Sequence, residues 1–315
     1  MENSSQTLPS QFFLLGLSTV PHLQVIGFLV IMTIYIITLI GNFLFLFTMR
    51  ISPTLHTPMY FFLSNLSLID IFLSSTIVPV ILINTVSTNK SIPLGSCIFQ
   101  MFFALILGAA ECILLSIMAY DRFVAICKPL RYSSIMNTRF CIILAIIPWT
   151  IGFIDSCIQI PLTFSLPFCR THVNHFHCEM PLFLRLSCID PWLNEVAMYV
   201  AAGLIVLCSF FLTLISYVFI ISTIVRIRSS HGRYAVFSTC ASHLTVVILF
   251  YGTIMSTYLR PPSFHSVETD RSLSVLYTVV IPMLNPIIYS IRNKDVKNCI
   301  MNIKKQVKLS QNILI

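Results

Sequence analysis

Apolar residues fall into seven long stretches, near 23–49, 59–84, 97–126, 140–160, 194–225, 234–258 and 272–291, separated by short polar breaks. The hydrocarbon core of a bilayer takes about 20 residues of helix, so each stretch predicts a membrane span. The pattern is weakest in the second, with Asn65 and Asp70, and in the third, with Glu111. The longest connection runs from 161 to 193, and no linker, low-complexity tract or tandem repeat divides the chain. The pattern predicts an all-α membrane protein: a seven-helix bundle over 23–291, a tail over 1–22 and a closing segment over 292–315. In that segment Val296, Cys299, Ile300, Ile303 and Val307 recur at helical spacing among Lys294, Lys297, Lys304, Lys305 and Lys308. This predicts a short basic amphipathic helix on the inner leaflet, with Cys299 open to palmitoylation.

Composition narrows the class further. Of 315 residues 57% are hydrophobic and 10% charged, with a mean hydropathy of +0.89. That excludes a soluble enzyme, a disordered chain and a fibrous repeat. The charge is asymmetric. An odd number of spans puts the ends on opposite sides, and 14 of the 19 Lys and Arg lie on the C-terminal side. The bias toward positive cytoplasmic loops then puts the C-terminus inside and the N-terminus outside. The net charge of +8 is mostly this asymmetry and calls for no nucleic-acid partner. The first 22 residues hold no Lys or Arg and do not read as a cleavable signal peptide. Asn3-Ser4-Ser5 is a glycosylation sequon on the outer side; a second, at Asn89, sits in a short loop near the membrane.

Four of the eleven cysteines, Cys97, Cys169, Cys178 and Cys188, fall on the outer side. An even number in an oxidising compartment predicts two disulfides, with three connectivities open. A bond tying the long loop to span three would hold a lid over the bundle mouth. The loop also carries His172, His175 and His177 between Cys169 and Cys178, donors suited to zinc or copper. With the cysteines used in disulfides, the preferred reading is a polar, metal-free loop.

Ionisable groups inside the membrane must face the protein or water. Asp70 and Glu111 are two such acids, and Asn42, Ser116 and Asn285 could join them in a polar cluster. That cluster could hold a sodium ion or protons, or form a neutral network that fixes packing. In span seven Pro282 and Pro286 each remove a backbone donor around Asn285, with Tyr289 one turn on, which predicts a hinge. Asp121 and Arg122 end span three as an adjacent acid and base whose rearrangement would free the arginine.

These pieces together resemble rhodopsin-like G-protein-coupled receptors, and within them the olfactory (odorant) receptors. The resemblance runs from Gly41-Asn42 to Asn293 and rests on LHTPMYFFLSNLSLID (55–70), MAYDRFVAICKPLRY (118–132), Ser216-Tyr217, FSTCASHL (237–244) and PMLNPIIYSIRN (282–293). It implies disulfides Cys97–Cys178 and Cys169–Cys188, and an Arg122 that contacts a G protein, helped by Tyr217, His243 and Tyr289. It also implies an olfactory-type stimulatory G protein with cyclic AMP downstream, and a place in the plasma membrane. The chain departs from the usual pattern at Phe123, where Tyr is common, at Ala235-Val236, where Lys-Ala is common, and at His177, where Phe is common.

Helical spacing places the ligand pocket in the outer half of the bundle. The candidates are Ala104, Leu105, Gly108, Ala109 and Cys112 on span three, and Met198, Ala201, Ala202 and Ile205 on span five. Tyr251, Ile254, Met255 and Tyr258 on span six and Val275 and Thr278 on span seven complete the set. No charged residue lies in the outer halves of spans three, five and six except Glu195 at the extreme end of span five. The expected ligand is therefore a small, neutral, weakly polar molecule bound at micromolar strength or weaker. Span seven has no Lys for a retinal Schiff base, and neither HExxH nor GxSxG occurs, so neither an opsin nor an enzyme is expected.

Overall fold

The computed structural model describes residues 9–16, 20–258 and 267–291. Asn3 and the segment 292–315, with Cys299 and the expected amphipathic helix, lie outside the described residues. Among the described residues seven helices, spans one to seven in chain order, are long and apolar enough to cross a membrane: His22–Ile51, Pro58–Val86, Leu94–Cys127, Thr138–Phe164, Trp192–Arg226, Cys240–Thr257 and Glu268–Tyr289.

Local chemistry sets the ends. Pro58 opens span two, where a missing N–H costs nothing. Asn137 caps span four by accepting the Phe140 N–H at 3.0 Å. Span four runs beyond the expected stop at 160 because Pro161 is accommodated within the helix: Ser165 N–H still reaches the Pro161 carbonyl at 2.9 Å. In span seven the backbone departs from the α form. Leu276–Val280 is a π-helical stretch between the α-helices Val267–Val275 and Ile281–Ile291. Pro282, which has no N–H to give the Thr278 carbonyl, comes two residues later, and the widened turn accommodates the break.

Burial separates the centre from the rim. The most apolar stretch of span three is 67% buried, against 11% for span one. Span three packs on spans two, four, five and six, while span one presents Val25, Leu29, Ile40, Phe43 and Phe47 outward. That is the pattern of helices solvated by lipid on one side. Spans three and four touch backbone to backbone: a Cβ on Gly152 would sit 2.5 Å from the Ile106 carbonyl oxygen. One turn on, Ser156 Oγ donates to the Phe102 carbonyl at 3.1 Å along the same seam.

One end of the bundle carries both disulfides, Cys97–Cys178 and Cys169–Cys188. There a small sheet joins the helices. Strand β1 (Gln11–Leu14) lies between β2 (Ser91–Pro93), antiparallel to it, and β3 (His172–Val173), parallel to it. Phe12 and Leu14 point inward, and Phe13 stacks on His172 at 5.0 Å. Part of the expected N-terminal tail is thus a strand of the lid.

Candidate ligand-binding cavity and switch

The Cys97–Cys178 bond fixes the loop over the bundle, and Gln100 reinforces it from span three. Its Oε1 accepts the Cys178 N–H at 2.8 Å while its Nε2 donates to the Thr76 carbonyl at 3.1 Å. Beneath the loop lies a mostly apolar cavity of about 140 Å³. An engineered apolar cavity of about 150 Å³ takes benzene, so the space suits a compact guest of one ring or a short chain.

Nine of the candidates line this space: Ala104, Leu105, Gly108, Ala109 and Cys112 of span three, Met198, Ala202 and Ile205 of span five, and Ile254 of span six. Nothing lies within 4 Å of where a Gly108 Cβ would be, in contrast to Gly152. Five candidates stand elsewhere. Tyr251 is buried, but its hydroxyl donates to the Cys112 carbonyl at 3.0 Å and its ring packs on Phe210. Ala201 does not reach the lining, and Met255 and Val275 pack instead against the main apolar core. Thr278 is fully buried and returns its hydroxyl to the Ser274 carbonyl. The side chain of Tyr258 lies outside the described part of the structure.

The lining also brings in acids from outside the predicted set. Asp155 and Gln159 of span four, Glu111 of span three and Glu179 of the loop all contribute. Span four and the loop were the surfaces the helical spacing left out. Glu179 is a hub: one of its oxygens, Oε1, is 2.9 Å from His177 Nε2 and accepts from Ser274 Oγ at 2.6 Å and from the Tyr277 hydroxyl at 2.7 Å. Burial alone would raise the Glu179 carboxyl, but His177, His175 and Ser274 outweigh it and hold it well below the usual carboxylate range. Burial, with His177 and Arg271 adding to it, pushes His175 down to about 3 against the pull of Glu179. The cluster joins loop and span seven, as does Arg271, whose Nη2 donates to Asn174 Oδ1 at 2.6 Å.

Deeper in the bundle Asn285 Nδ2 donates to both oxygens of Asp70, at 3.0 and 3.1 Å. Glu111 Oε1 and Asn285 Oδ1 are buried without a hydrogen-bond partner among the described residues. The two other cluster candidates turn away. Asn42 Nδ2 donates to the Thr38 and Pro282 carbonyls, tying span one to span seven, and Ser116 Oγ donates back to Ile113. Pro286 packs closely on Gly41.

At the opposite end, Asp121 is fully buried and Arg122 partly exposed. Their closest approach is a long 3.9 Å; the shorter partner of Asp121 is Tyr132, whose hydroxyl donates to Oδ1 at 2.8 Å. Tyr132 sits in the one-turn helix Tyr132–Ile135 after span three, and its part in the switch was not assigned from sequence. Span five meets span six through Tyr217, whose hydroxyl is 2.8 Å from His243 Nδ1 with the rings stacked. The Tyr289 hydroxyl is buried without a partner among the described residues.

Comparison with known proteins agrees with this architecture. A family model described as olfactory receptor matches residues 31–307. The chain is 47% identical over 298 residues to olfactory receptor 2F1 of Homo sapiens, covering 94% of each. It is 45% identical over 313 residues to olfactory receptor 2B6 of Mus musculus, covering 99% of this chain and 100% of that one. The olfactory receptor-like protein OLF3 of Canis lupus familiaris is 46% identical over 298 residues, covering 94% of each.

Proposed function

The chain belongs to the olfactory receptor family, and from that premise we propose that it admits a small, uncharged, largely apolar odorant to the cavity beneath Glu179 and activates a stimulatory G protein, raising cyclic AMP. In this reading the chain sits in the plasma membrane, with the disulfide end outward and the Arg122 end toward the cytoplasm; the bias of the basic residues supports that orientation. The observation that carries the reading is the cavity itself, walled by small residues of span three and apolar residues of spans five and six and closed by a disulfide-held loop. Glu179 does not make it a site for charged ligands. Glu179 is already matched by two hydroxyls and an imidazole, and an uncompensated charge brought into such a space is costly.

The odorant acts by preferring one of two arrangements of the bundle, and it shifts their ratio only by its difference in affinity. In the state it favours, the Tyr217–His243 contact between spans five and six opens and Arg122 becomes free to meet the G protein. The polar cluster supplies a further control. Asp70, Glu111 and the free oxygen of Asn285 are a donor set for a sodium ion, which would offset two carboxylates in a dry interior.

A broad odorant panel, read as cyclic AMP in cells expressing the chain, tests this. Gly108→Leu fills open cavity space without touching the Gly152 seam. Its surface level should match wild type, while the concentration for half-maximal response to any active odorant rises about tenfold or more, the equivalent of roughly 1.4 kcal/mol. An unchanged concentration would remove the odorant from this cavity.

A further inference from the structure

Asp155 stands in span four and lines the cavity, yet among the described residues it forms no ion pair. Helical spacing puts it on the inner face of the span, with Gly152, Asp155, Ser156 and Gln159 at i, i+3, i+4 and i+7. Gly152 and Ser156 fasten that face to span three, and Gln159 Nε2 fastens it to span five by donating to the Ala197 carbonyl at 3.2 Å. We infer that Asp155 sets the ligand class, accepting a hydrogen bond from the hydroxyl of a small alcohol; the inference deepens the proposed function and rests on it.

An ionisable side chain inside a span has to face protein or water. The other two acids of the lining have their own surroundings. Glu179 is held by His177, Ser274 and Tyr277, and Glu111 joins the Asp70–Asn285 cluster. Asp155 has the Gln159 side chain, one turn on. A carboxylate offers about four acceptor positions and no donor, so one amide leaves most of them to a guest. The rest of the wall is apolar: Ala104, Leu105, Gly108 and Ala109 of span three, and Met198, Ala202 and Ile205 of span five.

An alcohol matches this lining. Its O–H turns to Asp155 in a charge-assisted bond, roughly twice as strong as a neutral one, and its hydrocarbon covers the apolar walls. An ether of the same size brings only an acceptor, sets oxygen against oxygen and leaves the carboxylate unmatched. A primary ammonium is the poorer guest for another reason. It has three donors, costs far more to desolvate than a hydroxyl, and finds no further side-chain acceptor on the walls from spans three and five.

The test measures equilibrium binding of isomer pairs to the purified full-length receptor in detergent, without G protein. The pairs are benzyl alcohol with anisole and n-pentanol with n-butyl methyl ether, identical in atoms and different in the O–H. Wild type should hold each alcohol at least about tenfold more tightly than its ether. Asp155→Leu should abolish that preference by weakening the alcohols alone, and Asp155→Asn, which keeps an oxygen acceptor, should retain part of it. Thermal unfolding without ligand establishes that both variants fold. Gly108→Leu, measured alongside, should weaken alcohol and ether alike. Where it does and Asp155→Leu leaves the preference intact, the role of Asp155 falls while the cavity stands; where Gly108→Leu changes neither affinity, the cavity reading falls and this inference with it. Equal affinity of wild type for alcohol and ether, tighter binding of benzylamine than of benzyl alcohol, or no binding of either pair at about 1 mM would overturn the assignment.

Discussion

An Arg122→Ala receptor is expected to reach the cell surface at the wild-type level and to lose its odorant-evoked cyclic AMP, a fall of at least about tenfold in maximal response. The structure separates the two effects. Arg122 Nε has no hydrogen-bond partner among the described residues, and its approach to Asp121 is a long 3.9 Å. An ion pair of that length on a partly exposed side chain contributes little to stability. Asp121, fully buried, keeps the Tyr132 hydroxyl at 2.8 Å when the guanidinium is removed. Folding therefore has little reason to suffer. Signalling does, because no other cation of span three lies beside the Tyr217–His243 contact, and a guanidinium presents five donors that alanine cannot replace. Surface staining and cyclic AMP measured on the same cells decide the matter. A normal odorant response at normal surface density would refute the switch assigned to Arg122.

Much of this architecture is legible in the sequence because a bilayer imposes length and polarity on each span separately. The seven apolar stretches coincide with the seven helices to within a few residues. The face of span three bearing Ala104, Leu105, Gly108, Ala109 and Cys112 follows from an unbroken 3.6-residue period, and all five line the cavity. The same extrapolation fails where the period breaks. A π turn inserts one residue into the winding, which rotates the upstream half of the helix by about 100° relative to the downstream half. Positions placed on a regular helical face across Leu276–Val280 therefore lose that face: Thr278 and Val275 do not line the cavity, and Tyr277 does. Span six fails differently. Tyr251 lies close to the expected face, but its hydroxyl reaches the Cys112 carbonyl of span three, a pairing that no pattern within one helix contains.

Glu179 shows the third limit. In sequence it is one polar residue in a 161–193 connection, with nothing to aim it. Its place follows from the neighbouring Cys178, pinned to span three, and from Ser274 and Tyr277 on a span almost a hundred residues away. A contact between distant segments is set by the assembled bundle. The strand Gln11–Leu14 is similar: four alternating residues are too short to stand out, and their partners come from two separate connections.

Gly152→Val should lower the amount of receptor at the cell surface about tenfold, with the remainder retained inside the cell. In a membrane, helices gain nothing from excluding water, so close backbone approach at small residues supplies much of the association. Here the approach is extreme. A Cβ at position 152 would meet the Ile106 carbonyl oxygen at 2.5 Å and its Cα at 3.0 Å. These are backbone atoms at the middle of span three, and no rotamer change relieves the clash. Span four would have to back away by roughly 1 Å, lengthening the Ser156–Phe102 hydrogen bond beyond its present 3.1 Å along the same seam. Overpacking of this kind costs about 1–3 kcal/mol, and about 2 kcal/mol lowers the folded-to-unfolded ratio of a marginally stable fold roughly thirtyfold. The control is Gly108→Leu, a larger addition on the opposite, cavity-facing side of the same helix pair, where nothing lies within 4 Å. If both variants reach the surface equally well, the contact between spans three and four is not the tight seam described; if only Gly152→Val is retained, the two glycines of this region serve opposite purposes, one admitting a neighbouring helix and the other leaving room for a ligand.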